Sequence, residues 1–416
     1  YRFERFSDDL TEVGKYADLA FKLKIYFLSP FDKGEKKVIK KLKKEIGKAA
    51  DDEQQIRKIE TYLKSNIEIV DYNGADYELI EKVVESGTAN RFGVMRLYSA
   101  LFTSYEIPYS YVVTTNRSQI TFDPEFESYT FLEKYLFYFP TIDKYADPED
   151  VFMRVGYVSS NFMGNYGMFF SSKLDLTDGL STPEIKYIEP LAYDANQDDL
   201  YIDIDLGTDF GAVDMRIKRE MTGYNAAYIQ SLEGLVASED LNRIFLELME
   251  PLTGGSRLSQ LEAENSGMQH LFTSPFILHA RSENARNLLQ KAGKNYLFKI
   301  GETIGQQIEM YQDKTRQTPV TLDFNHAYKR VINLHIPEGY KVTNLDDVNI
   351  TITQQSQSTS GYGFETLITE EEGKITITIW EYYKELSYPI DEFENFREVI
   401  NAAADFNKKV LVFEPL

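Results

Sequence analysis

Apolar residues recur at helical spacing in the first third of the chain and at alternate positions through much of its second half. In "GEKKVIKKLKKEIGKAADDEQQIRKIETYLKSNIEIV", Ile39, Leu42 and Ile46 share one helix face, and lysines occupy the others. The lysines read as a solvated face. Gly47 and the Asp51-Asp52 pair break this helix and cap the next, whose stripe is Ile56, Ile59 and Leu63. The stretch "ESGTANRFGVMRLYSALFTSYEIPYSYVVTTNR" opens with a turn from Glu85 to Ala89. A buried helix carrying Val94, Leu97 and Leu101 follows, then a hinge at Ile107-Pro108 and a buried strand over 109–115. "EKYLFYF" and "IDKYADP" predict two more strands, the second ending at Asp147-Pro148.

From about residue 190 the period changes to two. "LYIDIDL" alternates strictly, as do Val213, Met215 and Ile217. A helical insertion is expected over about 223–293, with "AYIQSLEGLV" and "LNRIFLELME" as its amphipathic stretches. Strands resume after it, with a turn at Pro337-Glu338-Gly339-Tyr340. "NITITQ", "GFETLIT" and "KITITIW" are further strands; "DEFENFREVINAAADFN" is a late helix and "KVLVF" a last strand. The pattern predicts an α+β chain with a β-sandwich as its second domain.

The chain has 416 residues, enough for two or three domains. Its net charge of -21 disfavours nucleic acid and anionic lipid, which need a concentrated basic face. No apolar run is long enough for a membrane span. There is no cysteine, which excludes disulfides, thiolate metal sites and a cysteine nucleophile together. Tyrosine and phenylalanine are abundant, with 29 and 27 copies, and read first as core and strand-face residues. The chain starts at Tyr1 rather than Met, which suggests a processed or trimmed piece of a longer protein.

The order of elements between about Gln54 and Pro148 resembles the transglutaminase-like branch of the papain-type fold. The match is carried by Gly87, the helix from Gly93 to Tyr105, "EIPYSYVV", "FLEKYLFYF" and "KYADP". In that family a cysteine opens the helix, a histidine sits on the next strand, and an aspartate before proline orients the imidazole. Counting back from Pro108 puts the cysteine position at Arg91, or at Asn90 if the turn shifts by one. The histidine position falls at Glu133 or its neighbour Leu132, and Asp147 matches the third member. The resemblance thus implies a degenerate triad of Arg91, Glu133 and Asp147, with no catalytic residue left. A buried ion pair of Arg91 with Glu133 or Asp147 is expected in its place.

"TTNR", "DPEFES" and the C-terminal "INLHIPEGYKV" and "FREVINAAADFNKKVLV" extend the resemblance to a group of large bacterial envelope proteins. In these a β-rich N-terminal domain, a transglutaminase-like core and a β-sandwich domain follow in order. The resemblance implies a transglutaminase-like α+β domain over 1–190 and a β-sandwich over 191–416, with the group's first domain missing. It also implies export to the periplasm or beyond. The expected function is a catalytically inactive binding or scaffolding module for a protein, peptide or glycan. The alternative is a glycoside or peptide hydrolase using Glu133 and Asp147 as paired carboxylates.

No other chemistry stands out, and no cofactor motif is present. His270, His279, His326 and His335 form no zinc motif. "DANQDDLYIDID" begins like a calcium loop, but position six is Asp199 rather than glycine, and the stretch reads better as a strand.

Overall fold

A computed structural model of the chain describes residues 15–173, 183–311, 316–354 and 361–416. The chain divides into two units, Tyr1–Pro190 and Leu191–Leu416. It mixes helix and sheet in both, as the α+β reading expects.

The first unit begins with three helices, α1 (Tyr16–Leu28), α2 (Lys33–Ile46) and α3 (Asp52–Asn66). Asp32 and Glu35 form a reciprocal cap on α2: the Asp32 carboxylate accepts from the Glu35 N–H at 2.8 Å, and Glu35 accepts from the Asp32 N–H at 3.2 Å. Ile39, Leu42 and Ile46 are buried as the spacing predicts. A short parallel pair, β1 (Glu68–Ile69) and β2 (Thr88–Ala89), brackets α4 (Ile80–Ser86). Gly87 ends α4 in the left-handed region, at φ 72°.

The central helix α5 (Arg91–Ser104) follows, and every residue from Gly93 to Phe102 is buried. It lies on a five-stranded antiparallel sheet in the order β5-β4-β3-β6-β7. The strands are β3 (Ser110–Thr114), β4 (Lys134–Phe139), β5 (Lys144–Ala146), β6 (Asn165–Ser171) and β7 (Glu184–Ile188). The three strands expected from the sequence therefore share one sheet. Tyr98 and Phe102 of α5 meet Phe137 of β4, with ring centroids 6.0 and 5.1 Å apart. Ser99 Oγ and Tyr111 Oη are 2.7 Å apart across the same interface.

A charged pair is buried beside this packing. Arg96 of α5 is 8% exposed and meets Glu35 of α2, 4% exposed, through Nη2 at 3.0 and 3.1 Å and Nε at 3.3 Å. Its Nη1 donates to the carbonyls of Tyr26 and Ser29 at the end of α1. A single guanidinium thus joins α1, α2 and α5.

The second unit is built on an eight-stranded sheet among the described residues, in the order β10-β11-β9-β8-β15-β19-β18-β17. Its strands are β8 (Gln197–Asp205), β9 (Asp214–Met221), β10 (Gln260–Glu264), β11 (Phe276–Ser282), β15 (His326–His335), β17 (Thr351–Gln354), β18 (Tyr362–Glu371) and β19 (Lys374–Tyr383). All neighbours are antiparallel except β8 and β15. The "DANQDD" stretch leads into β8, so the strand reading of that segment holds. A four-stranded sheet runs β12 (Leu289–Ala292), β13 (Asn295–Phe298), β21 (Leu411–Pro415) and β16 (Tyr340–Val342). A small pair, β14 (Val320–Thr321) and β20 (Ser387–Tyr388), completes the strands.

The insertion over 223–293 is helical only in its first part. Helices α6 (Gly223–Leu232) and α7 (Ser238–Met249) occupy that part, and from Gln260 the chain returns to β10 and β11 at one end of the main sheet. Phe276, Leu278 and Ala280 are buried at alternate positions of β11, so period two rules there and helix does not.

One face of the main sheet carries Ile202, Ile332 and Ile377, and packs into a core shared with α6, α7, the helix α8 (Phe393–Asn407) and the four-stranded sheet. The other face is polar. There Asp199 of β8 lies opposite Glu220 of β9 on one side and Lys329 of β15 on the other. Burial raises the Asp199 pKa to about 6, Lys329 draws it down, and Asp198 and Glu220 push it further up.

Glu35→Ala leaves the Arg96 guanidinium buried without its carboxylate and should lower stability by about 3–5 kcal/mol. Urea denaturation, with the exposed Arg243→Ala as a near-silent control, measures it. Because the folded pKa of Asp199 lies above its ordinary value of 3.8, the folded state holds its proton more tightly. Stability therefore falls as pH rises from below 4 through about 6, and Asp199→Asn should flatten that part of the stability–pH curve.

Candidate functional site

The first turn of α5 is fixed by its neighbours. Asn90 caps the helix, its Oδ1 accepting from the Gly93 N–H at 2.9 Å, while its Nδ2 donates to Tyr72 O at 3.0 Å and Glu78 Oε1 at 2.9 Å. Asn90 is 4% exposed, and its side chain is wholly used in holding the turn. A Cβ at Gly93 would sit 1.9 Å from the Tyr77 carbonyl oxygen, so only glycine allows the chain at 77–78 to pass so close.

Arg91 opens the helix where a nucleophile is expected. The positive end of a helix favours an anion and gives an arginine no stabilisation. The guanidinium turns instead to Glu149, with Nε 2.9 Å from Oε2, and lies 5.6 Å from the centroid of the Tyr135 ring. The expected pairing of Arg91 with Glu133 or Asp147 is thus replaced: among the described residues its carboxylate partner is Glu149. Glu133 is exposed, one residue before β4, and Leu132 is buried as an apolar side chain. The inward position is the next one, Lys134. Its Nζ lies 2.8 Å from Asp147 Oδ1 and 3.8 Å from Glu149 Oε1, and 5.4 Å from the Phe162 ring centroid.

Asp147 follows β5 and has no exposed surface. Beside Lys134, its Oδ1 accepts from the N–H groups of Glu149 and Asp150 at 3.0 and 3.2 Å, closing the turn at Pro148. Its Oδ2 is buried without a hydrogen bond, as is Glu149 Oε1. Burial pushes the Glu149 carboxyl above its ordinary range, while Lys134 and Arg91 pull against it. The result is a four-residue charge cluster, Arg91–Glu149–Lys134–Asp147, at the head of α5. Glu133 and Asp147 are not a facing carboxylate pair, since one is at the surface and the other is buried on a lysine. The sequence reading missed Lys134 and Glu149. Glu149 stands two residues beyond Asp147 in "ADPED", and Lys134 immediately follows Glu133.

Comparison with known proteins adds two findings. Residues 296–413 match a family model described as a domain of unknown function with solved structure, DUF3858. A crystal structure of a protein from Parabacteroides distasonis, described as a "putative protease", resembles 95% of this chain at 9% sequence identity and a TM-score of 0.49. This chain covers 58% of that protein. No curated protein matches. Among the described residues no helix is long and apolar enough to cross a membrane.

The cluster gives a graded expectation. Lys134→Met strands the buried Asp147 carboxylate and should cost about 3–5 kcal/mol of stability. Arg91→Ala, removing a partly exposed partner, should cost no more than about 1 kcal/mol. Thermal and urea unfolding of the two variants side by side checks the order.

Proposed function

We propose that the first unit is a non-catalytic, transglutaminase-like module of an exported bacterial envelope protein, and that it acts by binding a protein, peptide or glycan. The observation that carries this reading is the Lys134–Asp147 pair. In a working triad the aspartate orients an imidazole that activates a thiol. Here the aspartate is fully buried beneath an ammonium, and on the family resemblance the thiol's position belongs to Arg91, which pairs with Glu149. The first 190 residues contain neither cysteine nor histidine, so no neighbouring residue of the unit supplies the missing pair. A guanidinium and an ammonium that are already paired with carboxylates are poor nucleophiles and poor bases at neutral pH. Envelope localisation rests on the sequence resemblance alone.

The purified chain should neither crosslink a glutamine peptide to an amine nor hydrolyse peptide or glycoside substrates. Turnover that disappears in Arg91→Ala or Lys134→Met, with the variant still folded, would overturn the reading. Affinity capture from envelope extract, compared with the second unit's cavity-blocked variant described below, then assigns the bound partner to one unit or the other.

A further inference from the structure

The second unit holds a cavity of about 730 Å³, bounded by the main sheet, α7, α8 and the segment around Gly305. That is the size of pockets that take drug-sized ligands. Its walls are largely apolar, with Leu200, Leu252, Ile304, Phe396, Ile400 and Ala403 among them. It opens to the surface at Gln306 and at Ile308, which is 72% exposed.

Its floor is a band of polar residues on the sheet face that elsewhere is core. Along β15, His326, Tyr328 and Arg330 precede Ile332 and Leu334 on the same face. Across the sheet Tyr328 pairs in register with Asp198 of β8 and Glu381 of β19, and His326 with Tyr383. Arg219 of β9 is fully occupied, by Asp198 through two hydrogen bonds and by the Leu248 carbonyl. Arg330 is different. It is 4% exposed, and its Nη1 donates to Glu381 Oε2 at 2.9 Å. Its Nε and Nη2 have no hydrogen-bond partner among the described residues. Glu381 is completed by the Tyr383 hydroxyl at 2.9 Å. A buried pair of this kind is seldom more stabilising than the apolar residues that fill the same face two residues away. Stability alone therefore gives no reason for the band.

His326 supplies the opposite character. Its Nδ1 lies 2.9 Å from the Phe324 carbonyl, which only accepts, so Nδ1 carries the proton and Nε2 is an acceptor. Burial lowers its pKa and keeps the ring neutral. Nε2 has no hydrogen-bond partner among the described residues. The cavity wall holds three carboxylates, Asp198, Glu247 and Glu381, and three guanidiniums, Arg219, Arg316 and Arg330, so its formal charges balance.

A donor and an acceptor stand free on one strand, four residues or about 13 Å apart along the backbone. The Tyr328 ring centroid lies 5.0 Å from the Arg330 guanidinium carbon and 5.1 Å from the His326 ring centroid, so the two groups are no more than about 10 Å apart. One amide is too small to reach both groups. Successive peptide groups, with carbonyl and N–H repeating along an extended chain, are not. We infer that this cavity binds a short, uncharged, apolar peptide segment in extended form, with a main-chain carbonyl accepting from Arg330 and a main-chain N–H donating to His326 Nε2. This stands independently of the reading of the first unit.

The test is isothermal titration of the whole chain with three probes: N-acetyl-Leu-Ala-Leu-amide, decanamide and decanoate. The tripeptide should bind at least about tenfold more tightly than either single-headed probe. His326→Phe keeps the ring contacts and loses the acceptor, and should weaken the tripeptide by at least about fivefold. Ala403→Leu narrows the cavity from α8 without touching the polar band, and should weaken all binding by a similar factor. Thermal midpoints confirm that each variant is folded. No tripeptide binding to the parent chain, equal affinity for decanamide or decanoate, or unchanged affinity in a folded His326→Phe or Ala403→Leu variant would each overturn the inference.

Discussion

The first unit depends on a helix that has no solvent face. Ten consecutive residues of α5, from Gly93 to Phe102, are buried, so any partner for a polar group among them must come from inside the protein, and the Tyr98 hydroxyl is buried without one. Arg96 finds Glu35 and two carbonyls of the preceding chain; Ser99 finds the Met95 carbonyl and Tyr111. Only the two ends of such a helix remain available for chemistry, and the first turn is the one that faces the charge cluster. This chain fills that turn with Asn90 as cap, Arg91 turned to Glu149, and Lys134 on Asp147. The same geometry that would raise the reactivity of a thiolate here locks a charge cluster in place.

Much of this was legible in the sequence, and the misses have specific causes. The helix from Arg91 and the three strands after it were readable because their apolar runs are bounded by Gly87, Pro108 and Pro148. The site was harder. In a strand, a shift of one residue reverses the face, so placing the inward residue at Glu133 instead of Lys134 exchanges a surface carboxylate for a buried ammonium. Glu149 was missed because its partner is 58 residues away, and no local pattern encodes that contact. Strand β11 was a different error: Phe276, Leu278 and Ala280 alternate in the sequence itself, and the surrounding helix signals overrode them.

The second unit shows the reverse relation between pattern and chemistry. Alternation in "LYIDIDL" and "KITITIW" marks the buried face of β8 and β19, and β15 between them buries alternate positions as well. The informative residues are those that obey the alternation in position and break it in character. His326, Tyr328 and Arg330 occupy core-facing positions, yet none is an aliphatic residue. A buried position filled by an ionisable side chain sets aside packing energy that an isoleucine would have provided, as Ile332 does two positions on.

The parallel pairing of β8 with β15 sits at the middle of the eight-stranded sheet, and its two strands are about 130 residues apart. The matched family region, 296–413, contains β15 but not β8. Cut at that boundary, the chain would carry half a sheet whose outermost strand, β15, presents an unpaired row of amides and carbonyls along its edge. The matched family region and the compact unit that holds the whole sheet therefore have different bounds. During synthesis β8 and β9 are made well before β15, β17, β18 and β19, so the sheet closes through long-range pairings, which raise the contact order of the second unit.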